Sequence, residues 1–102
     1  MLEVIQTETF RDWLAGLKDR RATMRIAARV VRMSEGNLGD VKPVGGGVSE
    51  ARITYGPGYR LYFASHGKRL IVLLIGGDKA SQDQDIKSAK ALWEAWKEEN
   101  DG

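Results

Sequence analysis

A chain of 102 residues with 16 Lys and Arg against 14 Asp and Glu carries a formal charge of +2, no cysteine and a single histidine, His66. That length suits one domain, residues 1–102, able to bury roughly two-thirds of its unfolded-chain surface without covalent staples. The missing cysteines exclude a disulfide framework and thiolate chemistry, and one histidine makes a zinc site unexpected, so neither metal nor cofactor is called for.

No apolar run approaches the roughly 20 residues of a membrane span, and the start Met1-Leu2-Glu3-Val4-Ile5 lacks the basic region and cleavage site of a signal peptide. A soluble, cytoplasmic protein without a membrane partner is expected. The charge is uneven: residues 1–79 hold 13 Lys and Arg against 8 Asp and Glu, whereas residues 80–102 hold 3 against 6. A basic body attracts a polyanion or an acidic protein segment; ordinary solvated surface charge is the plainer explanation.

In chain order, Leu2–Gln6 alternates as a short strand, and Thr7 can cap the helix that follows. Phe10, Trp13, Leu14 and Leu17 repeat at i, i+3, i+4, i+7, which places a core-facing stripe on that helix. The span Arg20–Ser34 predicts a second helix with Ala22, Ile26, Val30 and Met33 inward and Gly36 as its terminator. On its other side Arg21, Arg25, Arg29 and Arg32 form a basic stripe. Such a stripe is either solvated or suited to RNA backbone or an acidic partner, because guanidinium forks match phosphate and carboxylate. Residues Glu35–Gly47, rich in glycine, read as a mobile connector with no phosphate-cradling motif.

Two strands are expected around a Gly56-Pro57-Gly58 turn, Val48–Tyr55 and Tyr59–Ala64, both alternating with period two. A three-residue turn would set Tyr55 opposite Tyr59 and Arg52 opposite Tyr62, with Leu61 and Phe63 in the core and Arg60 and Tyr62 facing a groove. On that phase Arg60→Ala should leave stability nearly unchanged. Leu70–Ile75 has no polar residue in either phase and reads as a central strand covered on both faces. His66 falls in the preceding turn, at the sheet edge opposite Lys79. Ser81 with Gln84 forms a capping box for a last helix whose buried stripe is Ile86, Ala89, Trp93 and Trp96. The order β-α-α-β-β-β-α defines an α+β fold of one helical layer on a mostly antiparallel sheet. Its turn edge brings Lys79 near Arg60 and Arg52.

The runs Gly47–Ile53, Tyr55-Gly56-Pro57-Gly58-Tyr59-Arg60-Leu61-Tyr62-Phe63, Leu74-Ile75-Gly76-Gly77-Asp78-Lys79 and Gln82-Asp83-Gln84-Asp85-Ile86 resemble the RelE/ParE toxin superfamily, and within it the HigB-like addiction module killer branch. The resemblance implies a RelE-like fold and the toxin of a type II toxin–antitoxin pair. It further implies a cognate antitoxin, often a HigA-like helix-turn-helix protein. RelE-type relatives cut messenger RNA on the ribosome; ParE-type relatives poison DNA gyrase.

By the same resemblance Arg60 matches the strand arginine that contacts the scissile phosphate, Arg52 the basic residue beside it, and Lys79 the basic residue after the last strand. The chain departs from the pattern near Asp85, where RelE has a tyrosine, and it has no counterpart of the site histidines of HigB relatives. Metal-independent cleavage by a 2′-hydroxyl needs proton removal, stabilisation of the crowded phosphorane and a donor to the leaving oxygen. Arg52, Arg60 and Lys79 can supply the stabilisation. Tyr62, Lys79, Glu50 and Asp85 are the candidates for the proton steps, and clustered cations would lower the pKa of Tyr62 or Lys79. An endoribonuclease is expected, with a gyrase inhibitor or a non-catalytic RNA- or protein-binding module as alternatives.

Overall fold

The computed structural model describes residues 1–101. Five strands form one sheet in the order β1-β5-β4-β3-β2: β1 (Glu3–Gln6), β2 (Val41–Gly45), β3 (Val48–Ile53), β4 (Tyr59–His66) and β5 (Leu70–Gly77). Strand β1 lies parallel to β5, and the remaining neighbours are antiparallel. Helices α1 (Glu8–Ala15) and α2 (Arg20–Ser34) connect β1 to β2, and α3 (Gln82–Asp101) closes the chain. The fold is α+β, and no helix of the described residues is long and apolar enough to cross a membrane.

The helices form where the sequence places caps. Thr7 Oγ accepts from Phe10 N at the start of α1 and donates to Leu74 O at 2.7 Å, so one hydroxyl both starts the helix and ties it to β5. Asp19 caps α2 through the amides of Arg21 and Ala22. That helix ends in a Schellman motif: Gly36 N donates to Met33 O and Asn37 N to Arg32 O. Phe10, Ala22, Ile26 and Met33 are fully buried against Leu61, Phe63 and Leu73, the core on one face of the sheet.

On the opposite face α3 covers Val48, Tyr62, Ala64, Val72 and Leu74 with Ala89 and Trp93. The expected single helical layer is therefore wrong; helices lie on both faces. Leu70–Gly77 showed this in advance, since an apolar strand in both phases needs cover on both sides. It holds the interior position between β1 and β4. His66 sits at the far end of β4, its ring edge-on to Trp93 and Trp96.

Two further expectations are corrected. The segment Glu35–Gly47 contains the edge strand β2, whose Val41 and Lys42 pair with Ala51 and Glu50. Its pairing follows from the hairpin turn, in which Gly46 and Gly47 have φ of +64° and +82°, the sign pattern of a type I′ turn. Pro43 is tolerated because β2 is an edge strand. The last helix, α3, does begin at Gln82, directly after Ser81, but its cap is different. Asp78, not Ser81, is the capping residue of a short 3₁₀ turn over Lys79–Ser81, and a capping box joins Asp78 and Ser81.

Strand β5 ends in two glycines that admit neighbours from opposite faces. A Cβ on Gly76 would collide with the Trp13 ring, and one on Gly77 with the Asp85 carboxylate. Gly76→Ala is expected to destabilise the protein by about 1–3 kcal/mol in urea unfolding. Most of that loss should vanish in a Trp13→Ala background; an unchanged cost there would contradict the packing.

Candidate functional site

The β3–β4 connection is longer than the turn read from the sequence. Arg52 pairs with Arg60 and Ile53 with Tyr59, leaving a five-residue loop, Thr54–Gly58, rather than three residues. The shift is two residues, so each side chain keeps its face while its partner changes. Two guanidinium-bearing residues now stand directly opposite one another, and Glu50 stands opposite Tyr62.

The loop brings the end of β5 into the same place. Lys79 N approaches Pro57 O at 3.4 Å, and a side chain on Gly58 would meet both Arg60 Nη1 and Lys79 Cβ. Arg60 Nη1 donates to Gly58 O at 2.8 Å. The result is an open groove of about 370 Å³ lined by Arg52, Arg60 and Lys79, with Asp40, Thr54 and Tyr59 also on its walls. These three cations were expected to converge, and they do.

Two of the three cations are paired with carboxylates. Arg52 Nη2 donates to Asp40 Oδ1 at 3.0 Å, with both side chains about half exposed. Asp40's carboxyl is held below the usual range first by that hydrogen bond. Arg60 Nε lies 3.5 Å from Glu50 Oε2 but is not aligned to hydrogen-bond to it, so this is an ion pair only. Among the described residues Lys79 Nζ has no hydrogen bond or ion pair, and the residue is exposed.

Under the groove lies a polar cluster enclosed by α3. Glu50 is 0% exposed; its Oε2 accepts from Tyr62 Oη at 3.2 Å and from Gln82 Nε2 at 2.8 Å. Tyr62 is also 0% exposed, which corrects its expected place in the groove. The strand phase is right; α3 simply roofs that face. Tyr62's pKa is raised, first by burial and then by Glu50, with Arg60 opposing only weakly. The expected lowering by clustered cations does not occur. Asp85 accepts a hydrogen bond from Ser81 Oγ and lies behind Gly77, so it holds the helix start rather than facing the groove.

Arg60 is half-buried and its side chain is only 12% exposed, against an expected solvent-facing position. Arg60→Ala would remove the positive partner of the buried Glu50 carboxylate and leave it only the hydrogen bonds from Tyr62 and Gln82, so the substitution is expected to lower stability rather than leave it unchanged.

The basic stripe of α2 is broken in the middle. Arg29 is buried at 6% exposure, with Nε donating to Leu38 O, Nη1 to Arg52 O and Nη2 to Asp40 O. Three backbone carbonyls thus replace solvent, and burial holds its pKa below the ordinary value. Arg29 fixes the loop before β2 and the end of β3; it is not available to RNA or a partner. Arg21, Arg25 and Arg32 remain exposed. The guanidinium of Arg25 lies 4.5 Å above the Tyr55 ring, whose hydroxyl donates to Asp19. Neither the Gln82 contact nor the Arg29 clamp was read from the sequence, since both depend on long-range pairing. The only available hint was an arginine on a helix whose inward positions lie on either side of it, at Ile26, Val30 and Met33.

What the fold and site define is an α+β protein with a cationic groove at one end of its sheet, supported by buried polar residues. No family model matches the chain. An uncharacterized protein of Haemophilus influenzae is 47% identical over 91 residues, spanning 89% of this chain and 92% of that protein. The chain belongs to the family of that protein.

The raised pKa of Tyr62 sets a pH dependence. Its folded-state pKa lies above the unfolded value near 10, so its contribution is fully present below pH ~10 and is lost as pH rises beyond it. Alkaline titration of tyrosinate absorbance should show one residue ionising only as the protein unfolds. Tyr62→Phe should remove that last step; its persistence would mean that another tyrosine is the protected one.

Proposed function

We propose that this protein is the toxin of a type II toxin–antitoxin pair, of the RelE-like kind, and acts as a ribosome-dependent messenger RNA endonuclease without a metal. The observation that carries the reading is the convergence of Arg52, Arg60 and Lys79 on one open groove at the β3–β4 loop. The chain order supports it as well: an N-terminal strand, two helices, an antiparallel meander and a closing helix, with β2 added at the edge.

In this reading the scissile phosphate displaces Asp40 from Arg52 and takes the outward N–H groups of Arg60. Glu50 fixes Arg60 from beneath, so little ordering remains when the phosphate arrives. The 2′-hydroxyl gives its proton to water, its oxygen bonds to phosphorus, and the bond from phosphorus to the 5′-oxygen breaks as that oxygen takes a proton from the Lys79 ammonium, leaving a 2′,3′-cyclic phosphate and a 5′-hydroxyl. Lys79, exposed and without a carboxylate partner among the described residues, stabilises the phosphorane and serves the leaving oxygen. Tyr62 and Glu50 act as positioning residues, since both are enclosed. The partners are the ribosome, its messenger RNA and a cognate antitoxin of the helix-turn-helix, HigA-like kind.

One observation favours a second reading, a ParE-like gyrase inhibitor. Of the four proton-transfer candidates, Lys79 alone is exposed in the groove, because Tyr62 and Glu50 are buried and Asp85 is engaged with Ser81. Expression in a bacterial host separates the readings. Growth arrest with loss of messenger RNA and intact DNA is expected, reversed by Lys79→Ala and by co-expression of the neighbouring antitoxin frame. Arrest with gyrase–DNA adducts and stable messenger RNA would transfer the case to gyrase, and harmless expression would defeat both.

A further inference from the structure

A second groove adjoins the first. It is lined by Arg25, Ala28, Arg32, Arg52, Ile53 and Thr54, with the buried Arg29 at its floor. Arg52, Ile53 and Thr54 line both grooves, so the two meet along the end of β3. The combined lining holds one carboxylate among the described residues, that of Asp40, and α2 itself contains no acidic residue.

We propose that the two grooves form one track for single-stranded RNA, in which Arg32 and Arg25 take backbone phosphates beyond the one held at Arg52 and Arg60. Arg25 and Arg32 are seven residues apart on one helix, about 10 Å along its axis, so the track extends well past a single phosphate. The Arg25 guanidinium carbon lies 4.5 Å over the Tyr55 ring, and a guanidinium already held by such a contact loses less freedom on binding. Arg29 does not bind the strand. Its three bonds to backbone carbonyls set the floor of the track instead.

An acidic protein helix is the competing ligand for arginines. Such a helix needs apolar anchors in its groove, and this lining offers only Ile53 and Ala28. The exposed apolar residues of α2, Met24 and Val31, line neither groove. The chemistry of the track favours a polyanion read through its phosphates, with weak sequence preference.

The biological substrate named here rests on the endonuclease reading, but the track itself is tested apart from catalysis. The probe is a fluorescent oligouridylate whose 2′-hydroxyls are methylated, so that 2′-attack cannot cut it, titrated by anisotropy over a salt series. Arg25→Gln and Arg32→Gln should each weaken binding and lower the slope of log affinity against log salt by about 0.7. Lys68→Gln, in the hairpin turn at the other end of β4, should change neither. Arg32→Gln carries the test alone if Arg25→Gln disturbs Tyr55. Equal losses from Lys68→Gln, or no binding by the wild type, would overturn the track. So would polyglutamate binding that depends on Arg25 and Arg32 while RNA binding does not. Binding with these losses, in a protein that fails to cut ribosomal messenger RNA, would uphold the track and sink only the endonuclease reading.

Discussion

Glu50 is the constraint on which the site depends. Its carboxylate is fully enclosed between the sheet and α3, where an unpaired charge would be prohibitive. Tyr62 from β4, Gln82 from the first turn of α3 and Arg60 from β4 converge on Oε2. One buried group therefore sets the register of β3 on β4, the position at which α3 begins and the direction of Arg60. Among the described residues the other oxygen, Oε1, has no hydrogen-bond partner, and neither does Arg60 Nε. A buried ionic cluster of this kind adds little net stability over an apolar one. Its consequence lies in orientation, since Glu50 on one side and the Gly58 carbonyl on the other fix the guanidinium of Arg60 at the wall of the groove.

The cationic groove is built by backbone devices around that cluster. A loop of five residues, rather than a tight turn, lets Gly58 and Pro57 reach the end of β5 and places Lys79 beside Arg60. Gly77 admits Asp85 against the sheet, and Asp85 in turn steadies Ser81 in the 3₁₀ turn that carries Lys79. Arg29 spends its guanidinium on carbonyls of residues 38, 40 and 52, so the chain around Asp40 and Arg52 is fixed without a counter-charge. Asp40 is left on the groove wall as an exposed partner that an incoming phosphate can replace at small cost, because exposed ion pairs are weak.

Much of the scaffold was legible because local signals were strong. Thr7 marks a helix start, Gly36 marks an end, and the bounds of α2 match its periodic pattern at both termini. Alternation gave the correct face for Ala51, Ile53, Leu61 and Phe63, and a register error of two residues could not change that. What failed was everything decided by the second helical layer. Period two labels Glu50, Arg60 and Tyr62 as outward, and only the packing of α3 converts outward into buried. Arg29 was misjudged for a different reason: its carbonyl partners are supplied by chain up to 23 residues away, not by α3. Strand β2 escaped notice because glycine and proline, which usually punctuate loops, here make a type I′ hairpin and an edge.

The central claim is that a phosphodiester held by Arg52 and Arg60 is cut with the help of Lys79. Single-turnover reaction of purified protein with programmed ribosomes tests it most directly. Wild-type protein should leave fragments with a 2′,3′-cyclic phosphate and a 5′-hydroxyl, and folded Lys79→Ala should be slower by about 100- to 1,000-fold. Arg60→Lys, which keeps a cation for Glu50, should lose rate while retaining its fold. Intact messenger RNA with the wild type, or wild-type rates from both variants, would contradict the account.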